Sequence, residues 1–155
     1  MVIELVYLAD KVEALKVIAA WYEDEWGYLR NYSGADSYES RLQEYMNVDE
    51  IPLMVVALSG GAFIGAAQLK RHEMDIYPQY EFWLGGVYVE KSRRGNGVAA
   101  QIVQQILREA KRFNVSNLYL QTEQLDGGLY RRLGWQPIEQ VSYLERDVLV
   151  MQRPV

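Results

Sequence analysis

Two arginines and two glycines stand together in Arg93-Arg94-Gly95-Asn96-Gly97, between an apolar run and an amphipathic one. That combination suits an anion. Glycines at 95 and 97 let the backbone approach a ligand without a Cβ in the way. A helix opening at Gly97 aims unpaired N–H groups and its positive dipole end outward, which favours phosphate oxygens. Many helices start at a glycine without binding anything, so the loop alone leaves both readings open.

Two better-defined phosphate motifs fail here. A P-loop needs Lys followed by Ser or Thr after its last glycine, and Val98-Ala99 stand there instead. A dinucleotide fingerprint could use Ala100 as its third small residue, but it belongs to the first strand of its domain. Its ribose-binding acid is also missing, since Glu123 falls late and past the next strand.

Composition narrows the chemistry further. The 155 residues contain no cysteine and one histidine, His72, which excludes thiolate metal sites, a cysteine nucleophile and a His-rich metal cluster. No metal is expected. A net charge of −5 disfavours nucleic acid as a partner. No apolar stretch is long enough to cross a bilayer, and Met1 to Asp10 lacks the basic start of a signal peptide. The expectation is one cytoplasmic domain, residues 1–155, with no membrane partner. Twelve tyrosines and four tryptophans are the one excess, available to a core or to a ligand pocket.

The elements that must position the loop follow from periodicity. Val2–Leu8 reads as a strand, Asp10 as a helix cap, and Val12, Leu15, Ile18, Ala19 and Tyr22 as one face of a helix ending near Trp26. A shorter helix is expected over Asp36–Met46. Ile51–Leu58 and Ala62–Arg71 are strands joined by a Ser59-Gly60-Gly61 hairpin turn. After Pro78 another strand runs from Gln79 or Tyr80 to Val89. Val98, Ala99, Ile102, Val103, Ile106, Leu107 and Ala110 then form the buried stripe of a long helix over Gly97–Phe113. A strand over Asn117–Gln121, a short helix over Leu125–Leu133 and two strands within Trp135–Gln152 complete the chain.

With these elements in order, Arg94-x-x-Gly97-x-Ala99 resembles the acyl-CoA-binding signature of the GNAT superfamily of N-acetyltransferases. Leu129-Tyr130-Arg131-Arg132-Leu133-Gly134-Trp135 resembles that superfamily's second landmark, a tyrosine on a short helix before Leu-Gly-aromatic. The resemblance covers essentially the whole chain. It implies an α/β (α+β) fold: a mixed, largely antiparallel twisted sheet of about six to seven strands, parallel at a central splayed pair, flanked by about four helices.

The resemblance also implies roles. Arg94, Gly95, Asn96, Gly97, Val98 and Ala99 would hold the CoA pyrophosphate, and the pantetheine arm would lie beside Val87-Tyr88-Val89. Gly85-Gly86 inside a strand suggests a bulge that opens a slot for the thioester and frees an N–H for the developing oxyanion. Transfer from acetyl-CoA to an amine must remove a proton of pKa ~10 and protonate a thiolate of pKa ~8.5. Tyr130 is the candidate acid, and reads as readily as a packing tyrosine. Simple alternation sets Glu81, Trp83, Gly85, Val87 and Val89 on one face. The resemblance, in which a glutamate on this strand serves several members as base, makes Glu81 the nearest candidate, and it reads also as a solvated strand-end carboxylate. Without a cysteine or an apparent Ser-His-Asp arrangement, direct attack in a ternary complex is expected.

The acceptor, a small-molecule or peptide amine, has no legible code. Trp21-Tyr22-Glu23-Asp24-Glu25-Trp26 could attract a cation, or be core plus a wet acidic face. The resemblance allows a homodimer. A catalytically silent CoA-binding module used for sensing or assembly is the competing function.

Overall fold

The computed structural model describes residues 1–29 and 37–155. Seven strands form one sheet: β1 (Glu4–Tyr7), β2 (Leu53–Ser59), β3 (Ala62–Arg71), β4 (Phe82–Val89), β5 (Asn117–Thr122), β6 (Gln136–Tyr143) and β7 (Arg146–Pro154). Their order is β1-β2-β3-β4-β5-β7-β6, and every neighbouring pair is antiparallel except β4 and β5. The α-helices among the described residues are α1 (Ala14–Trp26), α2 (Tyr38–Leu42), α3 (Val98–Arg112) and α4 (Gly128–Arg132). This is the mixed sheet with a central parallel pair that the resemblance implied.

The continuous apolar run of β2 has a simple cause: both of its faces are covered. Leu53, Val55 and Ala57 pack with α3, whereas Met54, Val56 and Leu58 pack with α1. Gly60 and Gly61 turn the chain into β3 at φ +57 and +80, the two positive values that a tight hairpin requires. On α3 the expected stripe is buried at Val98, Ile102, Val103, Ile106 and Ala110, and Ala99 and Leu107 pack at its edge.

Several element ends differ from the sequence reading. Asp10 closes a short 3-10 turn over Leu8–Asp10, so α1 begins only at Ala14 and Val12 stays exposed. Asp36 lies outside the described residues. The helix there starts at Tyr38, with the Ser37 hydroxyl accepting from Ser40 N at 3.2 Å, and tightens into a 3-10 turn after Leu42. α4 is shorter than Leu125–Leu133 because its cap residue Gly127, at φ +87, turns the chain and the helix starts only at Gly128. β4 begins at Phe82, since turns at Tyr77 and Tyr80 occupy the preceding residues.

Two irregularities at the centre of the sheet position the site. β4 and β5 pair at one point, Trp83 with Tyr119, and part beyond it. β4 also carries the bulge: Gln68 faces Gly85 and Ala66 faces Tyr88, so Gly86 and Val87 together oppose Ala67. The extra residue inverts the alternation. Phe82, Leu84, Val87 and Val89 therefore share the α3 face, while Trp83 and Tyr88 lie on the other. The expectation that Glu81, Trp83, Gly85, Val87 and Val89 share one face is thus corrected: Val87 and Val89 change sides at the bulge.

Candidate active site

The gap between the diverging strands opens into a cleft of about 1130 Å³. Leu84–Val89 of β4 form one wall and Leu120, Gln121 and Thr122 of β5 the other. At one end lie Arg93, Arg94, Gly95, Gly97, Val98 and Ala99; Leu129 and Tyr130 of α4 face them. The rest of the lining is rich in charge. Glu25, Trp26, Tyr38 and Arg41 come from α1 and α2, His72, Glu73 and Asp75 from the segment after β3, and Glu123 and Arg146 from beyond β5 and the start of β7.

The loop before α3 is built from its own polar groups. Asn96 Nδ2 donates to the Arg93 and Arg94 carbonyls at 3.1 and 3.3 Å, and Arg94 Nε donates to Val89 O at 2.9 Å. The Arg94 guanidinium also lies 5.2 Å from the centre of the Tyr88 ring, which stacks on Trp21. Gly95 and Gly97 take φ +82 and +78, while a Cβ at either would meet only open space. Glycine is required here by backbone conformation rather than by crowding. Among the described residues no side chain caps α3 at Gly97, and the first turn of the helix lines the cleft.

The bulge is enclosed from the α1 side. Tyr22 Oη donates to the Gly86 carbonyl at 2.6 Å, and Gly86 takes φ +56. A methyl group on Gly86 would stand 2.6 Å from Tyr22 Oη and 2.9 Å from Gln68 Cδ. Next to it, Lys70 Nζ donates to Glu73 Oε1 at 2.9 Å in a largely buried ion pair. The other carboxylate oxygen of Glu73 would stand 2.9 Å from a methyl group on Gly85. Burial alone would lower the Lys70 pKa, but the Glu73 carboxylate outweighs it and raises the value.

Tyr130 sits against Trp135, ring centres 6.2 Å apart and edge to face. Burial pushes its phenol up to about 12, so it is protonated throughout the physiological range. Val87, Tyr88, Val89, Arg94, Gly95, Gly97, Val98, Ala99 and Tyr130 all line the cleft. Two sequence candidates do not. Asn96 spends its side-chain amide inside the loop, and Glu81 lies before β4, half exposed, accepting from Arg71 Nε at 3.2 Å. Of the acidic run in α1, Glu25 reaches the cleft and Glu23 packs over Gly27.

Gln68 and Glu73 escaped the sequence reading as site residues, and Tyr22 entered it only within the Trp21-to-Trp26 run, as core or as part of a cation-attracting surface. Tyr22 has the spacing of a core residue and is 2 % exposed, so periodicity conceals its hydroxyl. Gln68 did leave a signal: an amide within the apolar run of β3 is costly to bury unless it is used. Glu73 follows a strand end with no local pattern.

The GNAT family acetyltransferase model matches residues 17–135. The chain belongs to this family. The GNAT family assignment makes it an acyl-CoA-dependent acetyltransferase. No curated protein sequence matches the chain. Among solved structures, it is similar to an aminoglycoside 6'-acetyltransferase type Ii, with 19 % identity, TM-score 0.73, and coverage of 99 % of this chain and 97 % of that one. A ribosomal-protein-alanine N-acetyltransferase from Brucella melitensis has 21 % identity and TM-score 0.72, with both chains covered completely. An aminoglycoside 6'-N-acetyltransferase solved with coenzyme A has 17 % identity and TM-score 0.71, covering 99 % and 97 %. At such identities these likenesses establish the GNAT fold. Among the described residues no helix is long and apolar enough to cross a membrane.

Proposed function

We propose that the chain, acting as one cytoplasmic domain, transfers an acetyl group from acetyl-CoA to a primary amine by direct attack in a ternary complex. One observation carries this reading: a single cleft joins an uncapped helix N-terminus, a strand bulge and a half-buried tyrosine that keeps its proton. The N–H groups that open α3, with Arg94 and Gly95 beside them, suit the pyrophosphate of the donor. Val87, Tyr88 and Val89 flank the gap in which its extended arm would lie, and the cleft leads on to the bulge.

As the amine nitrogen bonds to the thioester carbon, negative charge grows on the carbonyl oxygen. An N–H at the Gly85–Val87 bulge stabilises that charge. When the carbon–sulfur bond breaks, the Tyr130 hydroxyl gives its proton to the departing sulfur. The amine must also shed a proton. Glu73, rather than Glu81, is the carboxylate beside the bulge, and it receives this proton through water or holds the incoming ammonium group. Lys70 holds the Glu73 carboxylate in place beside the bulge through their ion pair. No metal takes part in this scheme.

The charged lining of the cleft, with Glu25, Asp75 and Arg41 among its residues, favours a polar acceptor, whether a small molecule or a peptide amine. A panel of polyamines, amino acids, aminoglycosides and peptides, assayed with acetyl-CoA for free thiol, tests the reading. Amine-dependent thiol release is expected from at least one class. Acetyl-CoA binding with no release from any amine would support a silent binding module instead, and no binding at all would remove both.

A further inference from the structure

The Tyr22–Gly86 contact ties the acceptor wall of the cleft to the bulge. Tyr22 is fully enclosed in α1, with Trp26 edge-on at 5.2 Å and Tyr38 edge-on at 5.8 Å. Trp26 and Tyr38 are themselves cleft-lining residues, and Tyr38 Oη donates to the Trp26 carbonyl at 3.0 Å. One side of Tyr22 thus meets the surface an acceptor would touch. Its hydroxyl meets the strand where the thioester would react.

The chemistry of the peptide unit gives this contact a consequence. Gly86 takes a positive φ that leaves its peptide free to turn in ways an ordinary strand residue would forbid. A bulge built on glycine is therefore poorly specified by its own backbone. A trans peptide is planar, with its C=O and the following N–H pointing in opposite directions. Holding the Gly86 carbonyl fixes the direction of the Val87 N–H on the far side of the same plane. The hydroxyl that holds it is buried and donates at 2.6 Å.

We propose that Tyr22 is a positioning residue: by donating to the Gly86 carbonyl it aims the Val87 N–H at the thioester oxygen. The inference rests on the oxyanion reading given under the proposed function. Tyr22 lines the cleft with only 2 % of its surface exposed, and the role assigned to it runs through Gly86. Its effect passes through one peptide plane, and contacts made by an acceptor on Trp26 and Tyr38 bear on that plane through the ring they pack against.

The test is the carbonyl stretch of acetyl-CoA labelled with carbon-13 at the thioester carbon, bound to wild type and to Tyr22→Phe. In wild type the bound stretch is expected to move to lower frequency than in solution. Tyr22→Phe, which removes one oxygen and keeps the ring, is expected to lose that shift while its acetyl-CoA affinity stays unchanged. With any amine that turns over, kcat should fall about 10- to 100-fold while KM for acetyl-CoA holds, the pattern of a misaimed group. A shift retained in Tyr22→Phe overturns the positioning role alone. Binding to wild type without a shift overturns the oxyanion reading together with this inference, and no binding to wild type overturns the donor assignment itself. If Tyr22→Phe does not fold, NMR of wild type with ring-labelled tyrosine decides. A slowly exchanging Tyr22 hydroxyl proton close to Gly86 is expected, and its absence overturns the inference.

Discussion

A phenol held in low dielectric resists ionisation, and this sets what Tyr130 can do. With its pKa pushed up to about 12 by burial, it is a poor base and a persistent acid. Tyr130→Phe should lower kcat by about 100-fold or more while acetyl-CoA affinity persists, checked by thiol release and by calorimetry. The rate should show no Tyr130-dependent decline up to about pH 10, because the hydroxyl keeps its proton there. The sign for stability follows the same shift. A folded pKa raised above the unfolded value favours the native state below about pH 10, and that contribution is lost as pH climbs toward about 12. Base denaturation of wild type against Tyr130→Phe measures it. The two glutamates make a sharper contrast: Glu73→Gln should cut turnover by about tenfold or more, and Glu81→Gln should leave it within about twofold. An equal loss in both would remove Glu73 from the scheme.

Elements place these side chains through two departures from regularity. The loop before α3 depends on Gly95 and Gly97 in left-handed conformation, with open space where a Cβ would go. Gly97→Ala should therefore cost only the backbone term, about 1–2 kcal/mol in urea unfolding, and weaken acetyl-CoA binding as the first turn of α3 tilts. Gly86→Ala should cost more, because the added methyl also collides with Tyr22 Oη and Gln68. If both variants unfold at the same urea concentration, crowding at the bulge is not what Gly86 relieves. The loop was legible in the sequence because glycines, arginines and a following apolar stripe mark it within a few residues. The bulge was legible only as a strand-interior glycine pair, and its effect on alternation was not. Which face Val87 takes depends on how β4 registers against β3, a relation between distant segments.

For the whole molecule, the decisive feature is how narrowly β4 and β5 are joined. Their one pairing, Trp83 with Tyr119, sits in an aromatic cluster: Trp83 is fully buried, Tyr80 stacks on Tyr119 at 4.1 Å, and Val148 and Val150 close it from β7. This cluster holds the sheet shut at one end while the other end gapes. Trp83→Ala should destabilise the protein by about 3–5 kcal/mol, read as a fall in Tm, without touching the donor loop. Saturating acetyl-CoA, at about a hundred times Kd, should restore about 2.7 kcal/mol in wild type and in any folded variant with an intact loop. Failure of acetyl-CoA to raise Tm in wild type would count against the donor assignment.

What the sequence determined by itself was local. Helix stripes, the Gly60-Gly61 hairpin and the glycine loop before α3 with its arginines all follow from periodicity, turn chemistry and charge within a few residues of one another. Family membership was legible for the same reason, since its landmarks are short and in order. The tertiary structure decided which side chains share the cleft. A two-residue bulge exchanged the faces of β4, and the segment after β3 brought Glu73 beside Gly85. A core tyrosine of α1 met Gly86, 64 residues away. These are contacts between segments remote in the chain, made by packing and strand register, and no local pattern encodes them.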